Sequence, residues 1–117
     1  MENKITELPF KIFNAGDKTY LLRLTALAAV RLEERLNCSV YEAVERMSEI
    51  RIMSEVLYAL IESSQPEFRK AEVFDIIDSY LSEGKSIERL NGEIGEALRL
   101  SGFFGIRAVT EEVSLKS

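Results

Sequence analysis

Two stretches within the first two dozen residues alternate apolar and polar side chains with the period of a β-strand. Tyr20, Leu22 and Leu24 share one face of such a strand. The turn-rich residues 14–17 separate this strand from an earlier alternating stretch. The pattern predicts a β-hairpin over about residues 8–24, with a loop of four or five residues. Because two strands alone are only marginally stable in water, we expect the hairpin to lie on another layer.

From about residue 25 to residue 100, apolar residues recur with the spacing of amphipathic helices. Thr25, Ser39 and Ser86 stand at positions typical of N-caps. Gly84 stands where a helix-ending glycine is expected. The pattern predicts four to five helices. The helix from Ile50 to Ile61 is apolar over much of its circumference, which is typical of a central helix.

The apolar spacing also predicts which side chains face the core. On the central helix, the expected inward face consists of Ile50, Met53, Val56, Leu57, Leu60 and Ile61. Ile52 lies off that face. On the next helix, over about residues 70–83, the expected inward residues are Val73, Phe74, Ile76, Ile77, Tyr80 and Leu81.

These elements predict a mainly α protein in which an N-terminal β-hairpin precedes a bundle of four to five helices. We expect a single domain over residues 1–117, with the hairpin at about 8–24, the helices at about 25–100 and a C-terminal tail at 105–117. Weak alternation in the tail is compatible with strand pairing to a neighbour and equally with disorder.

Composition restricts the chemistry of the chain. It has no His, which excludes mechanisms that rely on an imidazole base, and its single Cys leaves too few ligands for a structural zinc site. Cys38 follows a helix and has two interpretations: a thiol activated by the next helix N-terminus, or a small buried hydrophobic side chain. We predict no catalytic, cofactor-binding or metal site, and no enzymatic activity.

The charge balance restricts the partners. The chain has 15 Lys and Arg against 20 Asp and Glu, a net charge of −5, so nucleic acid is not an expected partner. No apolar run approaches the length of a membrane span, and no signal peptide is expected. Asp75 and Asp78 are three residues apart on a predicted helix, where they form either a carboxylate pair for acid-base or Mg²⁺ chemistry or a solvated face.

A short apolar segment follows the last predicted helix: Phe103, Phe104 and Ile106, interrupted by Gly105. Two interpretations are open. Both phenylalanines pack under the helix ends, as residues after a C-terminal glycine do, or at least one is presented to a partner as an aromatic anchor.

Several sequence segments occur in a fixed order: YLLRLT at 20–25, LEERL at 32–36, VFDIID at 73–78, EGKS at 83–86 and ALRLSGFF at 97–104. This order resembles that of the tail assembly chaperones of long-tailed (siphovirus-type) bacteriophages and prophages of Gram-positive bacteria. The resemblance spans roughly residues 8–104. Asn37 departs from it, because a Gly would be expected after that helix.

The resemblance implies a small helical protein of the bacterial host cytoplasm that binds the tape measure protein and keeps it soluble. It also implies self-association, and contact with the tail tube protein through a longer form made by ribosomal frameshifting. No metal or catalytic motif belongs to this family. The implied function is a phage tail assembly chaperone that promotes assembly of the tail tube.

A chaperone for a coiled-coil client needs an apolar groove within a charged, soluble exterior. We expect the groove to be lined by the central helix and the C-terminal segment, so the predicted partner-binding residues are Met53, Leu57, Leu60, Phe103, Phe104 and Ile106. The alternative function is a small helical regulator or phage structural adaptor that binds one folded protein.

Overall fold

A computed structural model describes residues 8–104 and has a two-stranded antiparallel sheet followed by five α-helices. The elements are β1 (Lys11–Ala15), β2 (Lys18–Leu22), α1 (Ala26–Leu36), α2 (Val40–Glu45), α3 (Ile50–Glu62), α4 (Glu72–Ser82) and α5 (Ile87–Leu100). The predicted fold class, mainly α with an N-terminal hairpin and a helix bundle, is confirmed. Ile106 and the predicted tail lie outside the described residues.

The hairpin turn is tighter than predicted. Ala15 pairs with Lys18, which leaves a loop of two residues, Gly16 and Asp17. The prediction of a four- or five-residue loop was wrong because Gly16 has a φ of 64°, which permits a tight two-residue connection that most side chains disfavour. The Gly16 N–H also donates to Glu83 Oε2 at 2.8 Å, and this bond ties the turn to the end of α4.

The inner face of the hairpin packs through aromatic rings. Phe13 is completely buried, and its ring centroid lies 5.5 Å from that of Tyr80 on α4. Tyr20 lies 6.5 Å from Phe13 and 6.1 Å from Phe68, which belongs to the connection between α3 and α4. This packing supplies the second layer that a two-stranded sheet requires.

Helix α3 is the central helix, as its composition predicts. Its buried residues are Ile52, Met53, Ser54, Glu55, Val56, Leu57, Ala59, Leu60 and Ile61. Two assignments within it were wrong: Ile52 is 1% exposed and Ile50 is 45% exposed. Neighbouring elements surround the middle of α3, which buries Ile52 as well, whereas Ile50 is the first helical residue and stands at the edge of the core.

Two inward assignments on α4 were also wrong. Phe74 is 48% exposed and Leu81 is 37% exposed, while the buried residues of α4 are Val73, Ile76, Ile77 and Tyr80. These four residues form a stripe, and Phe74 and Leu81 lie about 100° around the helix from its centre. Since β1 and α3 pack against that stripe, the two large apolar side chains remain outside.

Polar caps explain where several helices begin. The side chains of Thr25, Ser39 and Ser86 accept hydrogen bonds from the N–H groups of Ala28, Glu42 and Arg89, so the three predicted N-caps are confirmed. Helix α3 begins after Glu49 without a side-chain cap.

Helix α1 ends at a residue with left-handed backbone geometry. Asn37 has a φ of 57°, and its N–H donates to Glu33 O at 2.7 Å. Asn adopts this conformation more readily than other non-glycine residues, which explains why it replaces the glycine expected there.

The backbone at Asn37 leads to a stability prediction. Asn37→Ala is expected to lower the free energy of unfolding by about 1 kcal/mol, because a Cβ without a local polar partner disfavours the left-handed region. Asn37→Gly is expected to leave stability unchanged or to raise it. Urea denaturation followed by circular dichroism measures both variants, and an Ala variant as stable as the Gly variant would contradict the assigned conformation.

Candidate functional site

The C-terminal end of α5 turns sharply at Gly102, which has a φ of 89°. The Gly102 N–H donates to Arg99 O at 3.0 Å and the Phe103 N–H donates to Leu98 O at 3.1 Å. These two bonds form the glycine-terminated helix ending known as the Schellman motif. The turn therefore places Phe103 and Phe104 back against the helices rather than along the axis of α5.

Tyr41, Phe103 and Phe104 form a cluster that we call the aromatic corner. The Tyr41 hydroxyl donates to Phe103 O at 3.0 Å, and the rings of Tyr41 and Phe104 meet edge to face at 4.9 Å. Nearby, the Leu24 N–H donates to Ser101 Oγ at 2.9 Å. The corner thus joins the end of α5 to α2. The Ser101 bond joins the same end of α5 to Leu24, the residue before the N-cap of α1.

The aromatic corner is packed within the chain and partly open to solvent. Phe103 and Phe104 are partly buried against the core, whereas Tyr41 is 58% exposed. Of the two interpretations of Phe103 and Phe104, this partial burial favours packing against the helices of the chain itself. The accessible ring of the corner is that of Tyr41, which was not among the predicted partner-binding residues.

The structure does not support the three predicted partner-binding residues of α3. Met53, Leu57 and Leu60 are each 0% exposed and belong to the central core. The face that was expected to line an open groove is covered by the chain's own elements, among them α1 and β2. These side chains stabilise the fold and are not available to a partner.

Exposed apolar side chains lie instead on α1. Leu27 is 60% exposed and Val30 is 50% exposed, and both point away from the buried stripe that contains Ala28 and Leu32. We call Leu27 and Val30 the outer α1 face. A helical projection would have found it from the sequence, since these two residues fall on the side opposite the apolar stripe.

A depression adjoins the outer α1 face at each end. The depression beside Leu27 has a volume of about 210 Å³ and is lined by Thr25, Leu27, Ala28, Arg31, Glu62, Ser63 and Pro66. The depression beside Val30 has a volume of about 480 Å³ and is lined by Val30, Glu33, Glu34, Asn37, Cys38 and Ser39. The depression beside Leu27 is the more enclosed of the two and can receive a side chain from a partner, whereas the one beside Val30 is wide and shallow.

Glu62, which lines the first depression, has one polar atom without a hydrogen-bond partner. Glu62 Oε1 is buried and accepts no hydrogen bond within the described part of the chain. Because this oxygen is shielded from solvent, it belongs to the packing of the chain and is not a contact point for a partner.

A second buried carboxylate is fully paired and has a structural role. Glu55 accepts from Arg35 Nε at 2.9 Å and from Lys70 Nζ, and the Arg35 guanidinium lies 4.9 Å from the centre of the Tyr58 ring. Burial acts to raise the pKa of Glu55, but the bonds from Lys70 and Arg35 together hold it below the ordinary value. The cluster ties α1 to α3 and to the connection before α4.

The residues singled out for chemistry lie on two parts of the fold, Cys38 between α1 and α2 and the two aspartates on α4. Among residues 8–104, no group of three or more Cys, Asp or Glu is arranged to hold a metal ion. Asp75 and Asp78 are exposed on α4 and belong to a solvated face. Cys38 is partly buried and packs against the core, which is consistent with the small-hydrophobe interpretation.

Comparison with protein-family models, with curated proteins and with solved structures finds no match to this chain. Within the described residues, each helix is too short or too polar to cross a lipid bilayer.

Proposed function

We propose that this protein is a tail assembly chaperone of a long-tailed bacteriophage or prophage of Gram-positive bacteria. In this role it binds the tape measure protein in the host cytoplasm, keeps it soluble and promotes assembly of the tail tube. The order of sequence segments that resembles this family supports the proposal. The structural observation that carries it is the outer α1 face, where Leu27 and Val30 are exposed on a helix while the core beneath is closed.

The geometry of the outer α1 face suits a helical client. Two apolar side chains three residues apart on one helix form a ridge that can pack into the groove of a second helix. The more enclosed depression beside Leu27 can receive a side chain of that helix. Arg31 and Glu34, both exposed, stand beside the ridge as a polar rim. The role is one of binding, without a catalytic step.

Two further parts of the proposal rest on the family resemblance. Copies of the protein associate with one another along the client, and a longer form produced by frameshifting contacts the tail tube protein. The proposed partners are thus the tape measure protein, a second copy of this chain and the tail tube protein, with no nucleic acid and no membrane.

The test of this proposal uses a coiled-coil fragment of a tape measure protein that precipitates when produced alone. The fragment is mixed with the purified protein, and the soluble fraction is measured after centrifugation. We expect the wild-type protein to keep the fragment soluble. Leu27→Gln/Val30→Gln is expected to weaken the complex at least about tenfold, since it removes two apolar contacts.

The matched control changes two exposed apolar residues elsewhere. Ile12 and Leu21 pair across the hairpin and are 54% and 39% exposed, so Ile12→Thr/Leu21→Thr removes a similar apolar surface. The control is expected to solubilise the fragment as the wild type does. If the wild type leaves the fragment insoluble, or if both variants act alike, the proposal fails. A 1:1 complex with one folded protein and none with helical fragments would favour the adaptor or regulator.

A further inference from the structure

Helix α4 has a second exposed apolar face that the core does not use. Phe74 and Leu81 are seven residues apart and lie on the same side of the helix, about two turns from each other. Asp78 stands between them along the helix, and Asp75 lies beside Phe74. We call Phe74, Asp75, Asp78 and Leu81 the outer α4 face.

The carboxylates on this face are not neutralised by the chain. Within residues 8–104, neither Asp75 nor Asp78 forms an ion pair, whereas Glu72 pairs with Arg69 at 3.1 Å. Both aspartates line a depression of about 440 Å³ between α4 and the hairpin turn, together with Gly16, Ser79, Ser82 and Glu83. Glu83 pairs with Lys85 at 3.0 Å, so the two aspartates are the carboxylates of this depression without an ion pair among residues 8–104, although Asp75 also lines a neighbouring depression with Lys18 and Arg69.

This combination specifies the chemistry of an occupant. Two apolar side chains need an apolar surface against them, and two unpaired carboxylates beside them favour cations at the rim of that surface. A helix face offers no unpaired backbone groups to an added strand, so the occupant packs through side chains, as an amphipathic helix does.

We propose that the outer α4 face binds an amphipathic helix whose apolar stripe is flanked by Lys or Arg. The apolar stripe packs on Phe74 and Leu81, and the cations pair with Asp75 and Asp78. A second copy of this chain fits less well, because Arg31 beside its outer α1 face is accompanied by Glu34, and the chain as a whole has a charge of −5. This inference concerns a different helix from the outer α1 face and does not depend on the proposed function.

The test uses a designed three-heptad peptide with Leu at the core positions of each heptad and Lys at the flanking positions. A second peptide has Glu in place of every Lys. Binding to the whole protein is measured by fluorescence anisotropy at near-physiological salt. We expect the Lys peptide to bind at least about tenfold more tightly than the Glu peptide, because only the Lys peptide complements the carboxylates.

Two variants and a matched control assign the binding to α4. Asp75→Asn/Asp78→Asn is expected to weaken binding of the Lys peptide about fivefold, and Phe74→Gln/Leu81→Gln about tenfold or more. Glu42→Gln/Glu45→Gln removes the same charge from exposed positions of α2, and binding is expected to change by less than about twofold. Each variant is expected to fold, because the substituted positions are exposed, and thermal unfolding checks this.

Three results would overturn the inference. Equal weakening by the α4 and α2 charge variants would mean that the peptide senses net charge alone. Amide chemical shifts perturbed by the peptide on α1 and not on α4 would place the contact elsewhere. Concentration-dependent dimerisation of the wild type that Phe74→Gln/Leu81→Gln abolishes would identify a second copy as the occupant. Since the peptides contain no tape measure sequence, these results are separate from the solubilisation test.

Discussion

Leu57→Ala is expected to lower the free energy of unfolding by about 3 kcal/mol, because it removes buried methyl groups and leaves a cavity that the core fills only in part. Leu57 is 0% exposed in the middle of α3, where other elements surround it. Urea denaturation followed by circular dichroism measures the change. The midpoint and the m-value, which is the dependence of the free energy of unfolding on urea concentration, are fitted together.

Leu27→Ala is the matched control, since it makes the same chemical change on a helix at a position that is 60% exposed. It is expected to change the free energy of unfolding by less than about 0.5 kcal/mol. If Leu57→Ala changed the free energy of unfolding as little as Leu27→Ala, Leu57 would not be a core residue. The open groove expected from the sequence would then be supported. The pair of variants therefore distinguishes a core leucine from a leucine available to a partner.

Tyr80→Ala is expected to cost about 4 kcal/mol, and Tyr80→Phe about 1 kcal/mol. Tyr80 is completely buried, its ring stacks 5.5 Å from that of Phe13, and its hydroxyl donates to Glu93 Oε2 at 2.7 Å. The Ala variant loses the ring that packs against Phe13 of the hairpin. The Phe variant loses only the hydroxyl, and Glu93 keeps its ion pair with Lys11 at 3.6 Å. If the two variants cost the same, the ring packing does not hold the hairpin.

Tyr80 also makes the free energy of unfolding depend on pH in the alkaline range. Burial and the hydrogen bond to Glu93 raise the pKa of Tyr80 from 10.0 to about 12. Because the folded state holds the neutral phenol more tightly than the unfolded chain does, this contribution is complete below pH 10 and is lost as the pH rises towards 12. Stability measured from pH 9 to pH 12 is expected to fall less steeply in Tyr80→Phe than in the wild type.

The two proposed surfaces differ in the partner that each selects. The outer α1 face has one cation and one anion beside its apolar ridge, so apolar packing dominates its recognition. The outer α4 face has two unpaired carboxylates, so charge contributes to its selectivity. Salt is therefore expected to weaken binding to α4 more than binding to α1.

The local features of this protein follow from its amino-acid sequence alone. Thr25, Ser39 and Ser86 cap helices where their hydroxyls were expected to, and the apolar girth of α3 correctly identified it as the central helix. These features depend on residues within a few positions of one another. A hydroxyl reaches an N–H three residues ahead, and periodicity of 2.0 or 3.6 residues is visible in the chain itself.

Long-range packing, by contrast, sets which apolar side chains are covered. Phe74 and Leu81 were expected inside and are exposed, whereas Met53, Leu57 and Leu60 were expected to be available and are buried. Periodicity shows how wide the apolar part of a helix is, but it does not show how much of that width neighbouring elements cover. Coverage depends on contacts between residues far apart in the chain, and the surfaces left for partners depend on it too.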